Sequence, residues 1–372
     1  MTYLDYSATT PCDPDVMREI SLVMAGGYGN PSASHSLGQQ SAAVIFKARK
    51  YLASIFHLQP QQVVFVSGGT ESDNLALQGA FKARASRNHF ITTTIEHDAV
   101  AVTCKSLERG GAKINYIPVN KDGIVDLQKL YNAITPETNV VSIIHVNNEM
   151  GAIQPLTEIG KIIRDKNKDV WFHIDAIQSF GKVPIPMEEA GIDLISISGH
   201  KIYGPVGIGA LIMSPRVQLQ PVILGGKQEH GLRAGTENYV AVRGLHVAAE
   251  RFVEKERGLF EHYKKLKARF LKGIENIPLE IISPKDGAPY IATIASSKLP
   301  GAIAVQKFNE FGIEVSAGSA CGARSIKPSH VVLAMGYSRQ IAEGVVRFSF
   351  GEMTTGEEID KAVEAVREVY GV

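Results

Sequence analysis

The chain has 372 residues, with 39 Lys+Arg against 38 Asp+Glu, a formal charge of +1, and ordinary globular proportions of 44% hydrophobic and 21% charged residues. That balance gives no general pull toward nucleic acid, an anionic membrane or an acidic partner. No apolar run approaches the roughly 18 residues of a spanning helix, MTYLDYSATTP carries no signal-peptide pattern, and Cys12, Cys104 and Cys321 form no CxxC pair. A disulfide scaffold and a cysteine-based zinc site are therefore not expected, and a reduced, cytoplasmic setting is.

The first clear element is VVFV at 63–66, a short buried strand, followed by helix-length sequence over 70–86. The alternation then repeats: strand 89–94, helix 98–109, strand 114–119, helix 126–133, strand 139–146 and helix 157–167. Strands at 170–174 and 194–198 follow, and the apolar run 207–213 can join them in one sheet. Short β-rich runs alternating with amphipathic helices predict an α/β layer with a mostly parallel sheet. A polar helical stretch over roughly 240–275 links to a second, smaller domain. There we expect strand 291–296, a helix near 302–311, a Gly/Ser-rich loop at 316–325, a helix near 328–335, strand 345–350 and a final helix from 356.

In open α/β sheets ligands bind beyond the carboxyl ends of the strands, so the residues just past each strand are the informative ones. Ser67-Gly68-Gly69-Thr70-Glu71 opens a helix and can cup a phosphate with backbone N–H groups. Glu96-His97, Asn147-Asn148-Glu149, Asp175 with Gln178, and Ser198-Gly199-His200-Lys201 stand past the next strands. Singly each has a structural explanation: a glycine turn, a helix cap, turn chemistry, a surface lysine. An Asp directly after an apolar strand, however, is costly to bury unless it meets a cation. Together the five strand ends suit one kind of ligand, a phosphorylated aromatic cofactor with a cationic ring nitrogen that bonds a lysine. GxGxxG after a strand, GxxxxGK[ST] and HExxH are absent, and no metal site is expected.

The segment Ser198-Gly199-His200-Lys201-Ile202-Tyr203-Gly204-Pro205 resembles the pyridoxal-phosphate lysine segment of cysteine desulfurases of the NifS/IscS type. The same resemblance continues through Tyr3–Pro11, Tyr28–Ser32, Ser67–Asn74, His145–Gly151, His173–Gln178, Arg233–Asn238, Ser316–Cys321 and Val346–Ser349, in order and nearly end to end. It implies the fold-type-I architecture of the class V aminotransferase family: a large cofactor domain over 16–257, and a smaller α+β domain from 1–15 and 258–372. It further implies Lys201 as the Schiff-base lysine, Asp175 against the pyridinium nitrogen, Gln178 on the ring hydroxyl and His97 stacked on the ring. Gly69, Thr70, Ser198 and His200 would hold the phosphate, with Thr236 reaching it from the other subunit of a homodimer. Asn148, beside the cofactor, and Arg347 would face the substrate, Arg347 gripping its carboxylate in a bidentate fork.

Cys321, within Ser-Ala-Gly-Ser-Ala-Cys-Gly-Ala-Arg-Ser, is implied as the sulfur acceptor on a loop near 316–330. Arg324 nearby would favour its thiolate, whereas Cys104 in the helix 98–109 and Cys12 are expected bystanders. The activity implied is desulfuration of L-cysteine to L-alanine, with a persulfide passed to an iron–sulfur scaffold or a tRNA-thiolation protein. Selenocysteine lyase, another pyridoxal-phosphate enzyme of this fold, and a non-enzymatic sulfur-relay role are the alternatives. The sequence departs from the usual pattern at Ala317, Gly322-Ala323 and Lys227. It ends at Val372, where IscS-type enzymes continue into a scaffold-docking tail, which leaves the acceptor open.

Overall fold

A computed structural model describes residues 1–26, 28–318 and 327–371. Strand β1 (Thr2–Tyr3) is followed by helices α1 (Pro14–Gly26) and α2 (Ser36–Ile55), neither of which the sequence pattern announced. In α1 the reason is visible: only Val16 is buried, while Met17, Leu22 and Met24 lie exposed, so its apolar residues trace no single stripe.

The central unit alternates as expected. It runs β2 (Val63–Val66), α3 (Gly69–Ala83), β3 (His89–Thr93), α4 (Asp98–Arg109), β4 (Lys113–Ile117), α5 (Leu127–Ala133), β5 (Thr138–Ile144), α6 (Leu156–Lys166), β6 (Trp171–Asp175), β7 (Leu194–Ser198) and β8 (Gly209–Met213). The strand order is β2-β8-β7-β6-β5-β3-β4. Every pairing from β7 to β4 is parallel, and β8 runs antiparallel to both of its neighbours. β2, β3, β5, β6, β7 and β8 are buried along their whole length, as expected for a sheet covered on both faces.

The predicted 240–275 stretch is two helices, α7 (Tyr239–Glu254) and α8 (Glu256–Gly273), meeting at Lys255. No Gly or Pro marks that junction. Beyond it come β9 (Glu280–Ile281), β10 (Ile291–Ala295), α9 (Gly301–Glu310), β11 (Ile313–Glu314), α10 (His330–Ala334), α11 (Arg339–Glu343), β12 (Val345–Ser349) and α12 (Gly356–Tyr370). An antiparallel sheet of order β12-β10-β9 forms here. The Phe348 ring on β12 sits 4.7 Å from Phe270 and 5.3 Å from Phe308, centroid to centroid, so aromatic packing joins the sheet to α8 and α9.

The N-terminal residues return to this second unit. β1 pairs in parallel with β11, and Asp5 bridges Ser349. Among the described residues no helix is long and apolar enough to cross a membrane.

Candidate active site

The parallel strands all deliver their carboxyl ends to one side of the sheet, and a cavity of about 270 Å³ opens there. Gly69 and Thr70 reach it from the start of α3, after β2; His97 from the turn after β3; Asn148 after β5. Asp175 and Gln178 reach it from the end of β6, and Ser198, His200 and Lys201 from β7 and the 3-10 turn that follows. Arg347 enters from β12, and Ser7 and Ala8 from the N-terminal segment. The sequence-predicted residues are thus gathered in one place, with two exceptions. Thr236 lines a separate cavity beside Ser67 and Arg233, and Cys321 lies outside the described residues.

Lys201 is held by the carbonyl oxygens of Ser7 and Ala8, which accept from its Nζ at 2.6 and 2.8 Å. The turn behind it is strained, because Tyr203 adopts φ 64°, a region that a bulky residue enters only when its surroundings impose it. Those surroundings are visible: Tyr203 N donates to Thr10 Oγ1 at 2.8 Å, and Tyr203 Oη accepts from Glu352 N at 2.6 Å. Neighbouring His200 is pushed down to about 4, by burial first and then by Lys201, so its ring is neutral at pH 7.

Asp175 is buried, and burial raises its carboxyl above the ordinary range, opposed by His97, the Ile177 N–H and Lys201. A buried carboxylate of this kind calls for a cation. His97 caps α4, its Nδ1 accepting from Ala99 N at 3.1 Å. A neutral ring with Nδ1 as acceptor carries its proton on Nε2. Gln178 donates from Nε2 to Ser7 O at 2.8 Å, and Tyr290 Oη donates to the Gln178 carbonyl at 2.8 Å.

The arrangement fits pyridoxal phosphate on its own chemistry. Gln178 Oε1 and Ser7 Oγ are buried with no protein partner. Gly69 lines the cavity at the N-terminus of α3, where a Cβ would collide with the Ile177 side chain. No side chain caps that helix end, which leaves its first N–H groups for an anion. Among the described residues no group of three or more His, Cys, Asp or Glu could hold a metal.

Several features were not read from the sequence. The carbonyls of Ser7 and Ala8 belong to a motif that the resemblance included without a role. Arg347 is fixed by Asp5 and by the Asn148 carbonyl. Glu71, in the phosphate-type turn, accepts from Ser67 N at 2.8 Å and from Arg233 Nε at 2.9 Å. This pair ties the turn to the segment that carries Thr236.

Glu96 is buried behind the site. Burial pushes its carboxyl from the ordinary 4.5 up to about 8, against hydrogen bonds from Thr93 Oγ1 at 2.6 Å and Ile144 N at 3.1 Å. The folded chain therefore holds a proton that the unfolded chain releases, and stability falls as pH rises from about 4.5 to about 8. Glu96→Gln keeps an accepting oxygen and cannot ionise. Denaturant unfolding at pH 5 and pH 8 is expected to show the difference between variant and parent moving in the variant's favour, by up to a few kcal/mol. A difference unchanged between the two pH values would contradict a buried, protonated Glu96.

Residues 2–362 match the protein family described as aminotransferase class-V. The chain is 42% identical to cysteine desulfurase IscS of Rickettsia massiliae (strain Mtu5), over 98% of this chain and 90% of that one. A solved structure described as a NifS-like protein superposes with a TM-score of 0.93 at 34% identity, covering 99% of each chain. Another, described as SspA in complex with cysteine, superposes with a TM-score of 0.82 at 35% identity, over 94% of this chain and 99% of that one.

Proposed function

The chain belongs to the class-V aminotransferase family and, within it, to the cysteine desulfurases of the NifS/IscS type, and we propose that it binds pyridoxal 5′-phosphate and carries sulfur from L-cysteine as a persulfide on Cys321. L-alanine is the second product, and the sulfur goes on to an iron–sulfur scaffold or a tRNA-thiolation protein. The observation that carries this reading is the convergence of Lys201, Asp175, His97 and Arg347 on one cavity at the carboxyl ends of the parallel strands. Gly69, Thr70, Ser198 and His200 would hold the cofactor's phosphate, Asp175 would keep its ring nitrogen protonated, Gln178 would bond its ring hydroxyl, and His97 would lie against the ring. The bound cofactor supplies an electron sink for the substrate's α-carbon.

Arg347 and Asn148 orient L-cysteine through its carboxylate, with the fork geometry that favours arginine for this task. Lys201 Nζ takes the α-proton, and the Ser7 and Ala8 carbonyls that accept from this amine hold it in place while it carries the charge. His97 moves a proton through Nε2. The Cys321 thiolate then attacks the substrate sulfur. The S–S bond forms as the Cβ–S bond breaks, and that bond's electron pair stays with the carbon skeleton, which is protonated and leaves as alanine. A thiol in solution or an acceptor's cysteine afterwards removes the outer sulfur.

The chain divides into a cofactor domain over 16–257 and a smaller domain from 1–15 with 258–372. The pairing of β1 with β11, and the Asp5–Ser349 bridge, support assigning the first residues to the second unit. A homodimer completes the site, Thr236 serving the partner's phosphate. Met17, Leu22 and Met24 of α1 are exposed apolar residues that a second copy could cover. Cys12 and Cys104 are unpaired, in keeping with a reduced, cytoplasmic setting.

The test is an intact-mass and peptide measurement on cofactor-loaded protein after L-cysteine, without reductant. One added sulfur atom on the peptide containing Cys321 is expected. An unmodified Cys321, with sulfide released into solution, would contradict the persulfide route.

A further inference from the structure

The proposed grip on the substrate carboxylate rests on one buried cation, and its setting is specific. Arg347 is 1% exposed. Its Nη1 donates to the Asn148 carbonyl at 2.7 Å and its Nη2 to Asp5 Oδ1 at 2.7 Å, while its Nε is buried with no protein partner. A guanidinium has five N–H donors in one plane. Two anchoring bonds on different nitrogens fix that plane, and the side chain still lines the cavity with N–H donors that no protein acceptor takes.

Asp5 is itself held firmly. It bridges Ser349 on β12 two residues from Arg347, and its carbonyl accepts from Ala8 N at 2.9 Å and from Tyr3 Oη at 3.1 Å. Ser7 N donates to Ser349 Oγ at 2.9 Å. The short run from Asp5 to Ala8 therefore touches Arg347 through a carboxylate, Lys201 through two carbonyls and Gln178 through one.

We propose that Asp5 is a positioning residue for carboxylate recognition: it sets the plane of the Arg347 guanidinium, through which an α-amino acid's carboxylate is read. This inference rests on the functional reading above. It locates part of the substrate specificity in a residue that touches neither cofactor nor reacting atoms. The ligand class is a carboxylate; an amine or thiol lacking one gains nothing from Asp5. The role belongs to the accepting oxygen, so an amide at the same place serves nearly as well as the carboxylate.

The experiment uses cofactor-loaded parent, Asp5→Ala and Asp5→Asn proteins. It measures kcat and KM for L-cysteine, and the melting-temperature shift produced by 3-mercaptopropionate (thiol and carboxylate, no amine) and by cysteamine (thiol and amine, no carboxylate). Asp5→Ala is expected to raise KM by about tenfold or more, the cost of one charge-assisted hydrogen bond, with a much smaller change in kcat. It should lose most of the shift given by 3-mercaptopropionate and keep the shift given by cysteamine. Asp5→Asn retains an acceptor for Nη2 and should stay close to the parent in both measurements. Equal losses for the two ligands, an unchanged KM in Asp5→Ala, or Asp5→Asn as impaired as Asp5→Ala would each overturn the proposal. A parent protein that leaves L-cysteine intact would overturn the functional reading instead, and the ligand shifts would still decide the role of Asp5.

Discussion

Lys201→Ala is expected to abolish desulfuration and the yellow colour of a lysine-bound cofactor together. The loss of turnover should reach roughly 10⁴-fold or more, the upper end of what a positioned general base contributes, because in the proposed mechanism the same amine also anchors the cofactor. The surroundings argue that the fold survives. Lys201 lies in the turn after β7, lines a cavity and meets two backbone carbonyls with its amine, so the substitution takes no residue out of the strands. Lys201→Arg is the companion variant: it keeps a cation near the Ser7 and Ala8 carbonyls, but a guanidinium stays protonated and cannot serve as base or nucleophile. Absorbance and turnover, with circular dichroism to verify folding, check both. A Lys201→Ala protein that keeps the colour and turns over L-cysteine would remove Lys201 from its role.

The second large effect is expected for Cys321→Ala: cofactor bound as in the parent, no persulfide, and sulfide release at background. The other cysteines cannot take over. Cys104 is fully buried, and burial, reinforced by Glu96 and Glu108, pushes its thiol up to about 12. Cys12 is half-buried, its thiol raised by burial and by Asp13. The nucleophile must be a thiolate, and neither of these ionises readily near pH 7. Peptide mapping after L-cysteine checks this; a persulfide on Cys104 or Cys12 in the variant would contradict it.

Much of this site was legible because its residues sit just past strands that are themselves legible. VVFV, VWFHI and LISIS are short apolar runs, and Gly69, Asp175 and Lys201 stand at or just beyond their ends. Local alternation cannot show what joins residues far apart in the chain. Arg347 and Asp5 are 342 positions apart, and the buried Arg49–Glu229 pair spans 180. That second pair joins α2, which the sequence pattern did not announce, to the turn at Glu229–Gly231: Arg49 also donates to the Val63 carbonyl, and Glu229 accepts from Phe65 N. Glu229 and His230 sit there at positive φ of 46° and 58°, a conformation that a Glu rarely adopts. α1 escaped notice because its apolar residues face outward as well as inward. The break at Lys255 carries no helix-stop residue, so one polar stretch read as a single helix. For Lys201 the motif named the residue, while the carbonyls that hold its amine are backbone atoms, invisible to any pattern of side chains.

The most direct test of the central claim is the product balance of pure, cofactor-loaded protein given L-cysteine and a thiol reductant, with alanine, sulfide and pyruvate quantified in one time course. Desulfuration through Cys321 requires alanine and sulfide in equal amounts, without pyruvate. Pyruvate and sulfide in place of alanine would mean β-elimination from the substrate, and would contradict the transfer of sulfur to the protein.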